Sequence, residues 1–402
     1  MKTETKLHSI ALVSTFLILF LIIISSSASA SPPTISETRI TTSGSAQYPA
    51  MYGNTIVWQD QRNGNWDIYL YNLSTSTESR ITTDESNQTK PSIYGDRIVW
   101  QDERNGNRDI YMYDLSTQKE TRITDESSDQ VDPAIYKDRI VWQDERNGNW
   151  DIYMYDLSTQ METQITTNES DQIEPVIYGD RIVWQDEREG REIYLYELST
   201  SRRLFNLFWN NQNLDLFSIF TGSDKSKVQK VMKSLTSREI GITTDESDNY
   251  EPAAIYGNKI VWADRRNANL DNPSKTYNAS IYMYDSSTSA ETLITTGFVF
   301  DKSNLLPAIH EERIVWQDGR NGNSDIYMYD LSTSTEIRIT TDESKQEMPS
   351  IYGDSIVWQD YRNGNSDIYM CTLAPADAKP IYPVSNAYKS GLNLISQLLG
   401  LK

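Results

Sequence analysis

A five-residue string, IVWQD or a near copy, occurs seven times, with its tryptophan at Trp58, Trp100, Trp142, Trp184, Trp262, Trp316 and Trp358. The successive spacings are 42, 42, 42, 78, 54 and 42, and the two long ones hold the same period with insertions of 36 and 12. A fixed period of this size marks a repeat architecture, in which each unit buries its apolar face against its neighbours. The chain is therefore built of seven units of one length, two of them interrupted.

One unit parses into strands. DPAIYKD (132–138) opens with proline and ends in a turn, and predicts a short first strand. RIVWQD (139–144) is apolar nearly throughout and rich in β-branched and aromatic residues, as a strand buried on both faces is. RNGN (146–149) holds Asn-Gly, the strongest short hairpin signal. DIYMYDL (151–157) is the third strand, and a polar fourth follows, typified by ETRIT (120–124) of the preceding unit. Helical spacing of apolar residues is absent. Four antiparallel strands in a unit of about 40–45 residues predict a propeller blade, with PAIY nearest the axis. The chain opens with an outer strand that has no blade before it, ISETRITT (35–42), and its last unit lacks one. The expectation is all-β: a seven-bladed β-propeller of four-stranded antiparallel blades, closed by the N-terminal strand completing the last blade.

The repeat SIYGDRIVWQDERNGNRDIYMYDLST (92–117) resembles the β-propeller repeat of exported archaeal surface proteins of the methanogen type. More distantly it is similar to TolB-type propeller repeats. The resemblance covers about 35–375, apart from one large insertion. It implies a propeller at the cell surface and no fixed activity.

Residues 1–30 carry the order of a secretory signal: Lys2 and Lys6, the apolar run IALVSTFLILFLIII (10–24), then small residues around Ala28 and Ala30. The alternative is an uncleaved anchor, although the run is short for a membrane span, which needs about 20 apolar residues. The expected organisation is a signal at 1–30, the propeller over 31–380, an insertion at 201–237 and a tail at 381–402. The expected location is secreted or on the cell surface, with no transmembrane span after signal removal, as a monomer. A formal net charge of −20 argues against nucleic acid or anionic lipid as a partner. One cysteine excludes a fold held by disulfides. Four N-x-S/T sequons stand at Asn72, Asn87, Asn168 and Asn278.

The repeat supplies its own control, because a residue type found in every unit serves the blade, whereas a single site breaks the symmetry. The stretch DERNGNWD (144–151) satisfies a loose Ca²⁺-loop pattern. Its acid and base, however, recur in all seven units: Asp60/Arg62, Asp102/Arg104, Asp144/Arg146, Asp186/Arg188, Asp264/Arg266, Asp318/Arg320 and Asp360/Arg362. The expectation is a structural ion pair fixing the hairpin, since an arginine two residues away opposes a cation by its own charge. His310 and Cys371 each occupy a position that is tyrosine in other units, and read as core substitutions. No catalytic, cofactor-binding or metal residue is expected: zinc has almost no ligands available, and Ca²⁺ in the hairpin loops is the one cofactor the pattern admits.

Two segments break the symmetry. The insertion 201–237 carries Phe205, Phe208, Trp209, Phe217 and Phe220, and reads either as a partner-binding or membrane-touching element or as a small subdomain over its own blade. The tail has Leu392, Ile395, Leu398 and Leu399 at helical spacing. Both leave the ends of third strands, and so emerge on one face, opposite the RNGN turns. Three function classes follow: a non-enzymatic module binding a protein or glycan at the cell surface, a carbohydrate-active hydrolase using Asp/Glu, and a structural component of the envelope.

Overall fold

The computed structural model describes residues 35–188, 190–198, 239–243, 252–266, 277–299 and 305–373. They form seven four-stranded sheets, each antiparallel, with no helix among the described residues. The chain is a seven-bladed β-propeller. The third blade is representative, with strands Gln130–Tyr136, Arg139–Asp144, Asp151–Asp156 and Met161–Gln164 from the axis outward. The second strand is buried on both faces, and its Ile140, Val141 and Trp142 are fully withdrawn from water. The outer strand is exposed and short, ending before the Ile-Thr pair that sequence reading included.

Packing runs from blade to blade. Val57, Ile68 and Leu70 of the first blade meet Ile93, Ile98, Trp100 and Tyr111 of the second. The same contact joins the seventh blade to the first, through Val357, Ile368 and Met370 against Ile56, Trp58 and Tyr69. No blade is therefore terminal in energetic terms. A buried tryptophan of this kind contributes about 3–5 kcal/mol relative to alanine.

The last blade takes its outer strand from the N-terminus. Glu37–Arg39 pairs with Asp367–Thr372, placing Glu37 opposite Cys371 and Arg39 opposite Tyr369. Three side-chain contacts hold this join. Arg39 pairs with the buried Asp367 at 2.6 Å, Thr41 Oγ1 donates to the same carboxylate at 3.1 Å, and Arg362 pairs with Glu37 at 2.6 Å. Ser43 and Ser45 then donate to Asp60 of the first blade at 2.7 and 2.6 Å, so the closing segment is tied to the blades on both sides.

The fifth blade departs from the repeat. Its outer strands, Tyr277–Asp285 and Ala290–Val299, are longer than their counterparts and stay paired past Ser280, where the second strand has ended at Asp264. Repetition alone suggests a uniform face at the RNGN turns, but in the fifth blade Tyr277–Asp285 and Ala290–Val299 extend beyond it.

Replacing Arg39 by alanine leaves the Asp367 carboxylate buried without its charged donor, a loss worth about 1–3 kcal/mol. The equivalent pair within a single stretch of chain is Arg338 with Asp325 at 2.8 Å. Equal falls in the denaturant midpoint for Arg39→Ala and Arg338→Ala are expected, since closure uses the same contact as any other blade. A fall for Arg338→Ala alone would show that the ring is not closed by this strand.

Candidate functional site

The repeated acid–base pair closes in every blade. Arg Nη2 lies 2.5–2.6 Å from its aspartate in all seven, and each aspartate side chain is fully buried. The pair is part of a larger node. The Trp142 indole N–H donates to Asp144 at 3.0 Å, the Arg146 backbone N–H and Nε donate to its other oxygen at 3.0 and 2.9 Å, and Arg146 reaches Glu162 on the outer strand at 2.6 Å. The guanidinium lies 4.2 Å from the centre of the Tyr153 ring, which itself stacks on Trp142. One arginine thus ties the second strand to the fourth across the third. Burial alone raises a carboxyl pKa, yet at Asp60 the hydrogen bonds from Arg62, Ser45 and Ser43 outweigh it and hold the group below its ordinary value.

The turn glycine has the left-handed backbone that its type suits, as at Gly148 with φ 90°. Asn147 before it donates to Asp151 at 2.8 Å and to the Tyr153 hydroxyl at 2.9 Å. Within DERNGNWD, Asp144 is thus engaged by Arg146 and Asp151 by Asn147, while Asn149 donates to the carbonyls of Asn168 and Ser170. Among the described residues no group of three or more His, Cys, Asp or Glu side chains could hold a metal ion.

His310 sits where the other blades have tyrosine, in a collar around the axis. Tyr52, Tyr94, Tyr136, Tyr178, Tyr256, His310 and Tyr352 follow one another with ring centres 4.5–4.8 Å apart and planes tilted by 47–54°. His310 Nδ1 accepts from the Gly353 N–H at 3.1 Å, and burial lowers its pKa, with nearby Glu311 opposing. Cys371 is also at a tyrosine position; burial pushes its thiol up to about 12, so it stays protonated. The insertion 201–237, with Phe205, Phe208, Trp209, Phe217 and Phe220, and the tail 381–402 lie outside the described residues.

At the opposite end of the inner strands the axis opens into a funnel of about 520 Å³. Its wall carries one proline from every blade: Pro49, Pro91, Pro133, Pro175, Pro252, Pro307 and Pro349. Proline lacks an N–H, and the inner strand bulges around it, as between Val131 and Ala134. The residues before Pro49, Pro91, Pro133, Pro175, Pro307 and Pro349 are left-handed, with φ of 41–55°, although none is glycine. Such a conformation costs roughly 1–2 kcal/mol per residue. It is held from the preceding blade: Gln101 Oε1 accepts the Asp132 N–H at 3.3 Å, and Gln143 Oε1 accepts the Glu174 N–H at 2.8 Å.

These six strained positions share a backbone and differ in side chain. Lys90, Asp132 and Glu174 make a polar arc, in which Lys90 and Asp132 form an ion pair; Leu306, Met348 and Tyr48 make the opposite, apolar arc. Beside Met348, burial raises the Glu347 carboxyl pKa, with Lys345 opposing. Sequence reading placed this segment innermost but did not single it out. The available signal was a proline common to all seven units, preceded by a residue that never settles on one type.

No protein-family model matches the chain, and no curated protein matches it. Solved structures do match in fold. An oligogalacturonate lyase from Vibrio parahaemolyticus aligns with a TM-score of 0.58 at 12% identity, over 86% of this chain and 96% of that one. An oligogalacturonate lyase in complex with manganese aligns at 0.56 and 15%, over 85% and 93%. The β-propeller domain of the Trilobed protease from Pyrococcus furiosus, described as having an open velcro topology, aligns at 0.53 and 13%, over 84% and 97%. TolB from Acinetobacter baumannii is a further structural neighbour, at 0.42 and 18%; this chain covers about half of its length (53%). At these identities the likeness is one of fold.

The node and the rim should separate on mutation. Arg146→Ala uncovers a fully buried carboxylate and is expected to cost about 3 kcal/mol. Arg97→Ala breaks the Arg97–Asp138 pair at 2.7 Å, whose acid is half exposed, and should cost under about 1 kcal/mol. Chemical denaturation at pH 7 reads both. His310 gives a pH effect of known sign. With its folded pKa below the unfolded value of about 6.5, its contribution is complete above that pH and declines as pH falls toward the folded pKa. His310→Tyr, which restores the collar, should flatten the melting temperature between pH 7.5 and 5; an unchanged slope would show that His310 does not titrate there.

Proposed function

We propose that this protein is an exported, non-enzymatic propeller that binds a protein segment or a glycan in its axial funnel at the outer side of the cell. One observation carries the reading. At the funnel mouth a costly backbone conformation is repeated around the ring, while the side chains on it vary from lysine to aspartate to leucine. Repetition without variation is what a blade needs. Variation on a fixed backbone is what recognition needs, and local strain gathers where function requires a side chain to be aimed.

The chemistry of the mouth supports a ligand with two sides. Lys90, Asp132 and Glu174 offer donors and acceptors, and Leu306, Met348 and Tyr48 offer apolar contact, above a wall of proline rings. Such pockets, apolar with a few convergent polar groups, suit a short amphipathic segment or a sugar ring. The N-terminal signal of residues 1–30 supports export, and no helix among the described residues is long and apolar enough to cross a membrane.

A glycan array and a set of immobilised peptides, probed with residues 31–402, identify the ligand. Lys90→Ala and Met348→Glu should each weaken its binding at least ~10-fold, or ~1.4 kcal/mol. Met161→Glu, on the exposed outer edge, should leave it unchanged. Equal affinities for all four proteins would overturn the funnel as the site. Release of new reducing ends from a bound glycan would replace this reading with that of a carbohydrate-active hydrolase.

A further inference from the structure

The sequons are not equivalent. Asn87 uses both ends of its amide, accepting from the Trp66 N–H at 3.2 Å and donating to Glu103 at 2.8 Å. Asn72, at the end of the first blade's third strand, uses only Oδ1, which accepts the N–H groups of Ser74 and Thr75 at 2.9 and 3.2 Å. Its Nδ2 has no hydrogen-bond partner among the described residues.

The other blades show what Asn72 replaces. Asp114, Asp156 and Asp330 stand at its position, and their Oδ1 atoms accept the same two backbone N–H groups. In those blades the carboxylate also takes the hydroxyl of the serine two residues on, at 2.5 Å. An arginine from the start of the second strand lies 3.6–3.7 Å from the same aspartate. In the first blade all three differ together. The acid is Asn72, the residue paired with it across the strands is Thr55 rather than arginine, and the Ser74 hydroxyl is bound to nothing among the described residues. The turn is kept intact, while an amide nitrogen and the sequon hydroxyl are released toward solvent where a guanidinium otherwise lies.

We infer that Asn72 is a glycan attachment site. The chemistry requires an activated donor of the lipid-linked glycosyl phosphate class. Nδ2 bonds to the anomeric carbon as the carbon–oxygen bond to phosphate breaks; the phosphate leaves with the electron pair, and one amide proton passes to a base of the transferring enzyme. Asn72 pairs with Thr55 at the end of the blade remote from the prolines, so a glycan there leaves the funnel mouth clear. The inference does not depend on what the funnel binds.

The test is a tryptic map of the full chain isolated from the cells that produce it. Peptide 63–80 contains Asn72 and no other sequon. It should carry a hexose-bearing mass, lost in Asn72→Asp, which places there the aspartate that four of the other blades use and so should fold normally. Peptide 81–97, with Asn87, should be unmodified. Recovery of 63–80 only at its unmodified mass, or a glycan on 81–97 alone, would overturn the assignment.

Discussion

A carboxylate fully withdrawn from water at the end of every second strand is the constraint on which the ring depends. Taking such an ion out of water costs several kcal/mol, and partners must be present on all sides. In the third blade they are the Trp142 indole, the Arg146 backbone and guanidinium, and through that guanidinium the Tyr153 ring and Glu162. Three strands of the blade are drawn together at one point. In the seventh blade the outer acid is Glu37, so the same requirement that orders a blade also recruits the N-terminal strand to close the ring.

The rigid repeat gives the molecule an axis on which differences are easy to place. Seven prolines set the funnel wall, and glutamines of the preceding blades hold four of the strained residues before them, Lys90, Asp132, Glu174 and Met348. A side chain at such a position cannot relax along the chain and is aimed by the ring as a whole. Lys90, Asp132 and Glu174 are thereby set against Leu306 and Met348, although each of the five comes from a different blade. At the other end of the inner strands the collar tolerates one exchange, His310, at the cost of a ring that can be charged by acid.

Much of this was legible from residues alone. IVWQD declared a strand buried on both faces, and Trp142 and Val141 are fully buried. The Asp–Arg pair was legible because its two members are two residues apart and recur seven times. Its further partners were not. Glu162 is 16 residues from Arg146, and the Tyr153 ring reaches the guanidinium only because the third strand pairs with the second in one register, Trp142 opposite Tyr153. His310 was legible as a substituted tyrosine, but not as one member of a closed aromatic ring. The extended strands of the fifth blade fall where its unit is lengthened relative to the 42-residue period, so the repeat does not announce them.

The number of blades, the strand order within each, the closure by the N-terminal strand and the structural character of the repeated acid and base are all written in the residues. Each of these is encoded by local pattern and by counting, which need no knowledge of how blades meet. What lies on the axis depends instead on how the blades meet. The funnel, its two chemical arcs and the aromatic collar are built from one residue per blade, and only the rotation of the blades about a common centre brings those residues within reach of one another.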